Sequence, residues 1–257
     1  MTPNRRVLVM ADPNLLAQFV ATRLLATLVD AQTQRGFASV VLTGGGVGTA
    51  SLVALADHPA RNALDWSRLD VFWGDERFVP ADDTERNDRG AERALLDHVP
   101  VTPNRVHRIA SSDDVATPEA AAAAYAEVLA RVAREHGHPE PVPRFDVILL
   151  GMGPEGHIAS IFPGDTAVHA AEPVVAVRDC PKAPPTRVSL TFPSIRAANE
   201  AWVLATSPEK ASAVAHALSG TSPTELPAAG VHGRSHTLFL LDEAAAGEVP
   251  VELRPRR

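Results

Sequence analysis

The segment Phe145-Asp-Val-Ile-Leu-Leu-Gly-Met-Gly-Pro-Glu-Gly-His157 decides the fold of this chain. Its first part, 145–150, is almost entirely apolar, which is typical of a strand with both sheet faces covered. Its second part, 151–157, places glycines, a carboxylate and an imidazole where such a strand would end. In open α/β sheets, ligands bind beyond the carboxyl ends of the strands. The segment therefore predicts a buried strand that leads into a binding loop.

Short β-branched runs alternate with helical patterns along the rest of the chain. Further strands are predicted at 7–10, 39–42, 69–73, 174–177, 187–192, 201–206 and 237–241. Helices are predicted from Pro13, after an Asp12 N-cap, to a stop at Gly36, and at 47–56, 119–135 and 208–218. Loops are predicted at 76–87, 139–143 and 181–185. This alternation predicts a single α/β domain over residues 1–257, with a mainly parallel sheet and helices on both faces.

The composition is that of an ordinary globular protein and argues against several classes of partner. Of the 257 residues, 45% are hydrophobic and 21% are charged, so one large domain can bury a core. The formal net charge of −7 offers no global basic field to nucleic acid. The apolar run after Arg6 is too short for a signal peptide, and no stretch approaches the roughly 20 apolar residues of a membrane span.

The single cysteine, Cys180, excludes an internal disulfide and a metal site built from several cysteines. A reducing compartment suits such a chain, so a cytoplasmic protein is predicted. The histidines other than His157 are dispersed, and we expect them at the surface or in loops. We predict neither a metal nor a cofactor. No long exposed apolar stripe demands a partner chain, so a monomer or weak dimer is expected.

Two further polar segments follow predicted strands. In Thr43-Gly-Gly-Gly-Val-Gly-Thr49, the backbone N–H groups of Gly44, Gly45 and Gly46 can approach an anion, and the next helix N-terminus favours negative charge. The alternative is a purely structural tight turn. In Trp73-Gly-Asp-Glu-Arg-Phe-Val-Pro80, Arg77 can grip phosphate through its planar guanidinium. The alternative there is a solvated loop in which Arg77 pairs with one of several nearby acids.

The loop 151–157 formally matches the Gly-x-Gly-x-x-Gly fingerprint of dinucleotide-binding folds. That fingerprint needs a full crossover helix after its last glycine, whereas Pro163-Gly164 interrupts this chain soon after His157. We therefore favour a tight loop that presents Glu155 and His157 at the strand end. An imidazole beside a carboxylate is the pairing that general-base catalysis uses.

Three cations follow later strands or loops. Lys182 and Arg187 lie in Pro181-Lys-Ala-Pro-Pro-Thr-Arg-Val-Ser-Leu-Thr191, a stiff loop that leads into a strand. They form either an anion-binding wall or ordinary surface charge. Lys210 lies in the first turn after a strand, where a cation is locally unfavourable unless an anion binds nearby.

Taken together, these segments resemble the 6-phosphogluconolactonase family over nearly the whole chain. The most specific pieces are Trp73–Arg77 with Val79-Pro80 and Asn87, then Leu149–Gly164, then Pro181–Arg187. The resemblance implies a fold similar to those of glucosamine-6-phosphate deaminases and ribose-5-phosphate isomerases. It also implies hydrolysis of 6-phosphogluconolactone, a small phosphorylated sugar lactone, to 6-phosphogluconate in the oxidative pentose phosphate pathway.

By the same resemblance, His157 is expected to be the base that activates water, with Glu155 as its partner. The expected substrate or phosphate ligands are Gly44, Gly45, Gly46, Asp75, Arg77, Lys182, Arg187 and Lys210. The chain departs from the family pattern in three places: Gly46-Val47 replaces a common Ser or Thr, Glu155 replaces a common Asp, and Ala183 replaces a frequent proline.

Two other functions remain open from sequence alone. The deaminases share the Gly-x-Gly-x-Asp-Gly-His-Ile-Ala pattern but continue as Phe-Asn-Glu-Pro, whereas this chain continues as Ser160-Ile-Phe-Pro163. The extra acid of the deaminases is therefore absent, which favours lactone hydrolysis. A sugar-phosphate sensor without turnover is the other alternative. Its ligand would bind in the same place.

Overall fold

A computed structural model describes residues 5–253 of the chain. Its strands are β1 Arg5–Met10, β2 Ala38–Leu42, β3 Leu69–Trp73, β4 Asp75–Arg77, β5 Val147–Gly151, β6 Val174–Val177, β7 Arg187–Leu190, β8 Glu200–Ala205 and β9 His236–Asp242. Its α-helices are α1 Pro13–Arg35, α2 Gly46–Ala56, α3 Asn87–Ala94, α4 Pro118–Glu135, α5 Phe192–Ile195 and α6 Ala211–Leu218. Several short 3-10 helices lie between these elements, among them Pro208–Lys210.

Six strands form a wholly parallel sheet in the order β1-β9-β8-β5-β2-β3. The predicted mainly parallel α/β architecture is therefore confirmed. Connections from β1 to β3 run toward one edge, and those from β5 to β9 run back toward the other. Because β-α-β crossovers are right-handed, α1 and α2 lie on one face, in mutual contact, and α4 and α6 lie on the other.

Between β2 and β5, the direction in which the connections run across the sheet reverses. At such a switch point, the loops after neighbouring strands diverge to opposite faces and leave a crevice between them. Here the loops at the two carboxyl ends are the glycine turn 43–46 and the loop 151–157. The Gly151 N–H donates to Oγ1 of Thr43 across this junction, at 3.2 Å. The crevice is therefore bounded by the two glycine-rich segments of the sequence.

The first helix begins and ends where its sequence predicts. The Asp12 carboxylate accepts the Leu15 N–H at 2.8 Å, and Pro13 occupies the first turn. Gly36 ends the helix at φ +83°, a left-handed conformation that favours glycine. One face of the helix buries leucine, valine and alanine against the sheet. Local capping residues therefore mark both ends of this helix.

The prediction of a loop over 76–87 was wrong at both of its ends. The chain leaves the parallel sheet at Gly74 and enters β4, which pairs antiparallel with β7 in a second, three-stranded sheet ordered β4-β7-β6. At the other end of the segment, Asn87 begins α3. The Glu76 carboxylate accepts the backbone N–H groups of Asn87 and Asp88 at 2.7 and 2.8 Å. A distant acid thus caps α3, and local sequence does not reveal it.

Other predicted boundaries shift by a few residues. β5 begins at Val147 rather than Phe145, and β7 ends at Leu190 because Phe192 starts α5. The predicted helix 208–218 consists of a 3-10 turn, Pro208–Lys210, followed by α6. No helix within residues 5–253 is both long enough and apolar enough to cross a membrane.

Candidate active site

A cavity of about 280 Å³ opens at the switch point between β2 and β5. Its lining comes from six separate stretches of the chain. Its lining residues are Thr43, Gly44, Gly45, Gly46, Val47, Asp75, Arg77, Asn87, Gly151, Met152, Gly153, Pro154, His157, Ala159, Lys182, Ala183, Arg187 and Lys210. Every residue predicted from sequence as part of the site lies in this set except Glu155, which contacts the imidazole of His157.

The loop 151–157 is tightly closed by its own backbone. The Gly153 N–H donates to the His157 carbonyl at 3.1 Å, and the Gly156 N–H donates to the Gly153 carbonyl at 3.0 Å. A Cβ on Gly153 would lie 2.1 Å from Nδ1 of His157 and 2.6 Å from Oε2 of Glu155. Gly156 adopts φ +85° against Leu226. The glycines are therefore required for this loop, and no crossover helix follows it, as the sequence predicts.

His157 and Glu155 form a hydrogen-bonded pair. Nδ1 of His157 lies 2.7 Å from Oε1 of Glu155, and the imidazole stacks on the Phe162 ring at 4.5 Å between centroids. Burial lowers the pKa of His157, and the charge of Lys182 lowers it further, whereas Glu155 acts in the opposite direction. Because the net shift is downward, the imidazole is neutral near pH 7. A neutral imidazole at a cavity wall can accept a proton.

The glycine turn lies at the N-terminus of α2. Gly45 adopts φ +81°, and a Cβ on Gly44 would lie 1.9 Å from Oδ1 of Asn87. The first backbone N–H groups of a helix have no acceptor within the helix, and they carry the positive end of its dipole. This turn therefore presents backbone donors to the cavity in the form that anions favour.

Asp75, Arg77 and Asn87 form one connected group next to the glycine turn. The Asn87 amide donates to the Asp75 carbonyl at 2.8 Å and accepts from Nη1 of Arg77 at 2.8 Å. Nη1 of Arg77 also donates to the Glu85 carbonyl. Oδ2 of Asp75 accepts the Ser160 hydroxyl at 2.6 Å. Arg77 is thus anchored by an amide and a carbonyl. It does not form the ion pair with a nearby acid that was the alternative from the sequence.

Arg187 organises the loop before it. Its Nε donates to the Pro184 carbonyl at 3.0 Å, and its Nη2 donates to the Lys182 and Ala183 carbonyls at 3.1 and 3.2 Å. Its Nη1 lies 3.9 Å from Oδ2 of Asp75. Most of the donors of this buried guanidinium therefore hold the loop 182–184 in place. A role of Arg187 as a substrate ligand remains a prediction and would rest on Nη1.

Two lysines reach the same cavity from different elements. Lys182 lies 3.0 Å from Oε1 and 3.1 Å from Oε2 of Glu155. Lys210 precedes α6, and burial lowers its pKa. With Arg77 and Arg187, these lysines give the cavity four cations against one lining acid, Asp75. The cavity is therefore suited to an anionic ligand although the whole chain is acidic.

The roles of Ser160 and Phe162 were not predicted from the sequence, and Asn87 was recognised only as part of a family motif. Ser160 holds Asp75, and Phe162 supports the imidazole, so both act by contact with residues that were predicted. Of the other histidines, which were expected at the surface or in loops, His107 lies in a loop but is buried. Its side chain is 5% exposed and lies 2.9 Å from Asp70. Within residues 5–253, no cluster of histidine, cysteine and acidic residues is suited to a metal ion.

Comparison with known proteins gives the family of the chain. A family model described as glucosamine-6-phosphate isomerases/6-phosphogluconolactonase matches residues 11–240. The chain belongs to this family. A 6-phosphogluconolactonase from Streptomyces coelicolor is 52% identical over 99% of this chain and 98% of its own length. The family that the sequence motifs suggested is thereby confirmed.

Solved structures extend the comparison to the fold of the glucosamine-6-phosphate isomerase/6-phosphogluconolactonase family. The 6-phosphogluconolactonase from Thermotoga maritima superposes with a TM-score of 0.79 at 25% identity, covering 93% of this chain and all of its own. A monomeric glucosamine-6-phosphate deaminase superposes with a TM-score of 0.76 at 19% identity, covering 95% of this chain and 99% of its own. The latter supports the predicted fold alone, because lactonases and deaminases share it.

Proposed function

We propose that this chain hydrolyses 6-phosphogluconolactone to 6-phosphogluconate, with His157 as the general base. The main support for this proposal is the hydrogen-bonded pair of His157 and Glu155 at the wall of a cavity that is rich in cations. Relatives that match 93% and 99% of the chain carry the name 6-phosphogluconolactonase, which supports the same activity. The continuation Ser160-Ile-Phe-Pro163 further separates this chain from the deaminases of the family.

The first chemical step is the addition of water to the lactone carbonyl. Nδ1 of His157 is engaged by Glu155, so Nε2 is the nitrogen that accepts the proton from water. The resulting hydroxide bonds to the carbonyl carbon, and the carbonyl π electrons move to its oxygen. Glu155 stabilises the imidazolium, as a carboxylate beside a catalytic imidazole does. The step forms a tetrahedral oxyanion and an imidazolium.

The second step opens the lactone ring. The carbonyl re-forms, the bond to the ring oxygen breaks, and the imidazolium returns its proton to that oxygen. The products are a hydroxyl and a carboxylic acid, which loses its proton to solvent. The imidazole is regenerated in its neutral form, so no other residue needs to change its protonation state.

The phosphate of the substrate gives the cavity its charge complementarity. The glycine turn at the N-terminus of α2 offers backbone donors, and the cations Arg77, Arg187 and Lys210 surround the same space. Binding of the phosphate in this part of the cavity would hold the lactone in a fixed orientation toward His157. Orientation of this kind accounts for a large part of the rate enhancement in many enzymes.

The decisive experiment compares two substrates with the purified protein. Acid release from 6-phosphogluconolactone above its spontaneous hydrolysis, without ammonia release from glucosamine 6-phosphate, is the expected result. Ammonia release would establish a deaminase instead. Binding of 6-phosphogluconate without any turnover would establish a sensor and contradict the proposal.

A variant at His157 tests the assigned base. General-base assistance contributes about 10²–10⁴ in rate, so we expect His157→Ala to lose that factor in kcat. Circular dichroism and thermal unfolding of the variant serve as folding controls. A replacement at the half-buried His58, which lies outside the cavity and whose ring contacts Thr22, gives a matched control. Turnover near the wild-type level in His157→Ala would exclude this residue as the base.

A further inference from the structure

We propose that Lys182 is a positioning residue that acts on His157 through Glu155, and not only a cation for the substrate phosphate. The proposal rests on the function proposed above. Its structural basis is a carboxylate shared by two donors. Oε1 of Glu155 lies 2.7 Å from Nδ1 of His157 and 3.0 Å from Nζ of Lys182, and Oε2 lies 3.1 Å from the same Nζ.

The shared carboxylate places Lys182 and His157 in competition. An ammonium held by both oxygens stabilises the carboxylate and withdraws part of its negative charge from the imidazole. An imidazolium at His157 must therefore share its counter-ion with Lys182. The neutral imidazole, which is the form required for a general base, is favoured by this arrangement. Lys182 is the only cation within hydrogen-bond distance of Glu155 among residues 5–253.

The position of Lys182 is fixed by its own backbone. The Lys182 carbonyl accepts from Nη2 of Arg187, as does the Ala183 carbonyl. Arg187 is itself buried, and its Cζ lies 5.9 Å from the centroid of the Phe162 ring on which His157 stacks. The ammonium therefore extends from an anchored segment toward Glu155, although the side chain is 43% exposed. An accidental surface ion pair would not have such an anchor.

Five charged groups surround the imidazole of His157. Glu155 contacts it directly, the charge of Lys182 disfavours its protonated form, and the charge of Asp75 favours that form. Cζ of Arg187 lies 5.9 Å from the centroid of the Phe162 ring, and Lys210 lines the same cavity without a hydrogen bond to Glu155. Lys210→Met is therefore a matched control for Lys182→Met, since this replacement removes a cavity cation of the same type and leaves the shared carboxylate intact.

Direct titration of the imidazole tests the proposal without reference to turnover. The protein is labelled with ¹⁵N-histidine, and the His157 resonances are assigned by their loss in His157→Gln. We expect Lys182→Met to move the pKa of His157 upward, because Glu155 is then free to stabilise the imidazolium. Lys182→Arg, which keeps the charge, should leave the pKa near the wild-type value. Lys210→Met should shift it less than Lys182→Met does.

A double-variant cycle separates action through Glu155 from direct repulsion between the two cations. In a Glu155→Gln background, Lys182→Met should shift the His157 titration clearly less than in the wild-type protein, because the shared carboxylate is gone and only the direct effect of the Lys182 charge remains. An undiminished shift in that background would show direct repulsion and overturn the proposal. So would an unmoved titration in Lys182→Met, or an equal shift in Lys210→Met.

Kinetics give a second readout that a phosphate ligand alone would not produce. We expect the acidic limb of the kcat/KM profile of Lys182→Met to move to higher pH together with the imidazole titration. A higher KM with an unmoved acidic limb would mean that Lys182 serves the phosphate only, which contradicts the proposal. Absence of lactone turnover in the wild-type protein would instead refute the proposed function, and the imidazole titration would still decide the role of Lys182.

Discussion

Nδ1 of His157 and Oε1 of Glu155 lie 2.7 Å apart at the wall of the cavity, with the imidazole stacked on Phe162. This contact determines which ring nitrogen is available for chemistry. It also places opposing influences on the imidazole, because burial disfavours its protonated form and Glu155 favours that form. The balance between these two effects sets the pKa of the imidazole.

The pH dependence of catalysis reports this balance. Burial lowers the pKa of His157, so the imidazole stays neutral, and active as a base, to a lower pH than an exposed histidine would. We expect kcat/KM for the lactone to be constant near neutrality and to fall only below the ordinary pKa of histidine. Initial rates, corrected for spontaneous hydrolysis at each pH, measure the profile. An acidic limb above that ordinary value would contradict the prediction.

Replacement of Glu155 by glutamine removes the charge that supports the imidazolium. Because Glu155 raises the pKa of His157, its loss should lower that pKa further and weaken the base. We expect kcat to fall by about tenfold or more, though by less than in His157→Ala. The acidic limb should also move to lower pH. The phosphate of the substrate also titrates near pH 6, but its contribution is the same for both proteins. An unmoved limb would show that Glu155 only shapes the loop.

Gly153 tests how closely the loop fits the pair. A Cβ at this position would lie 2.1 Å from Nδ1 of His157, so Gly153→Ala must displace the imidazole or the Glu155 carboxylate. We expect kcat/KM to fall by about ten- to a hundredfold, since small misplacements of catalytic groups cost that much. Gly90→Ala is the matched control. It lies in α3 with no atom within 4 Å of the added Cβ, and should stabilise the protein by about 0.5–1 kcal/mol.

The convergence of the site was predictable because it follows from sheet geometry. The segments 43–49, 74–77 and 151–157 each come after a strand, and carboxyl ends of parallel strands meet at one edge. The structure brings the three segments to a single cavity, and the fold and family predictions are confirmed. The roles of individual site residues remain predictions.

Features that depend on distant contacts could not be read from sequence. β4 has three residues, and it forms only because β7 pairs with it. α3 has a highly charged sequence that buries only two alanines, Ala91 and Ala94, in the core, and it begins where Glu76 accepts two backbone N–H groups. The joint contact of Glu155 with Lys182 and His157 likewise depends on the path of a loop that Arg187 holds. Such contacts leave no local signal in the residues themselves.

At the start of β3, remote from the glycine loops that follow β2 and β5, Asp70 collects three cationic or protonatable partners. Its carboxylate lies 2.6 Å from Arg105, 2.9 Å from His107 and 3.2 Å from His136. Burial raises its pKa, but the hydrogen bonds from both histidines and the charge of Arg105 outweigh this effect and lower the pKa to about 2. The cluster is therefore expected to support the stability of the fold rather than catalysis.

Asp70→Asn should accordingly destabilise the protein and leave its kcat near the wild-type value. Removal of one member of a buried ionic cluster costs about 3 kcal/mol in the free energy of unfolding. Because the pKa of Asp70 is lower in the folded state than its unfolded value of about 3.9, the stabilisation is present above about pH 4. This stabilisation is lost as the pH falls from about 4 toward 2. The difference in the free energy of unfolding between wild type and Asp70→Asn should therefore narrow over that interval.

Urea unfolding at neutral pH and thermal unfolding over a low-pH series measure this gap. Asp30→Asn, at an exposed position of α1, is the matched control and should change stability by no more than about 0.5 kcal/mol. If Asp70→Asn were as stable as the control at neutral pH, the cluster would contribute nothing to the fold. A gap that persists undiminished to pH 2 would show that the loss arises from packing and not from the carboxylate charge.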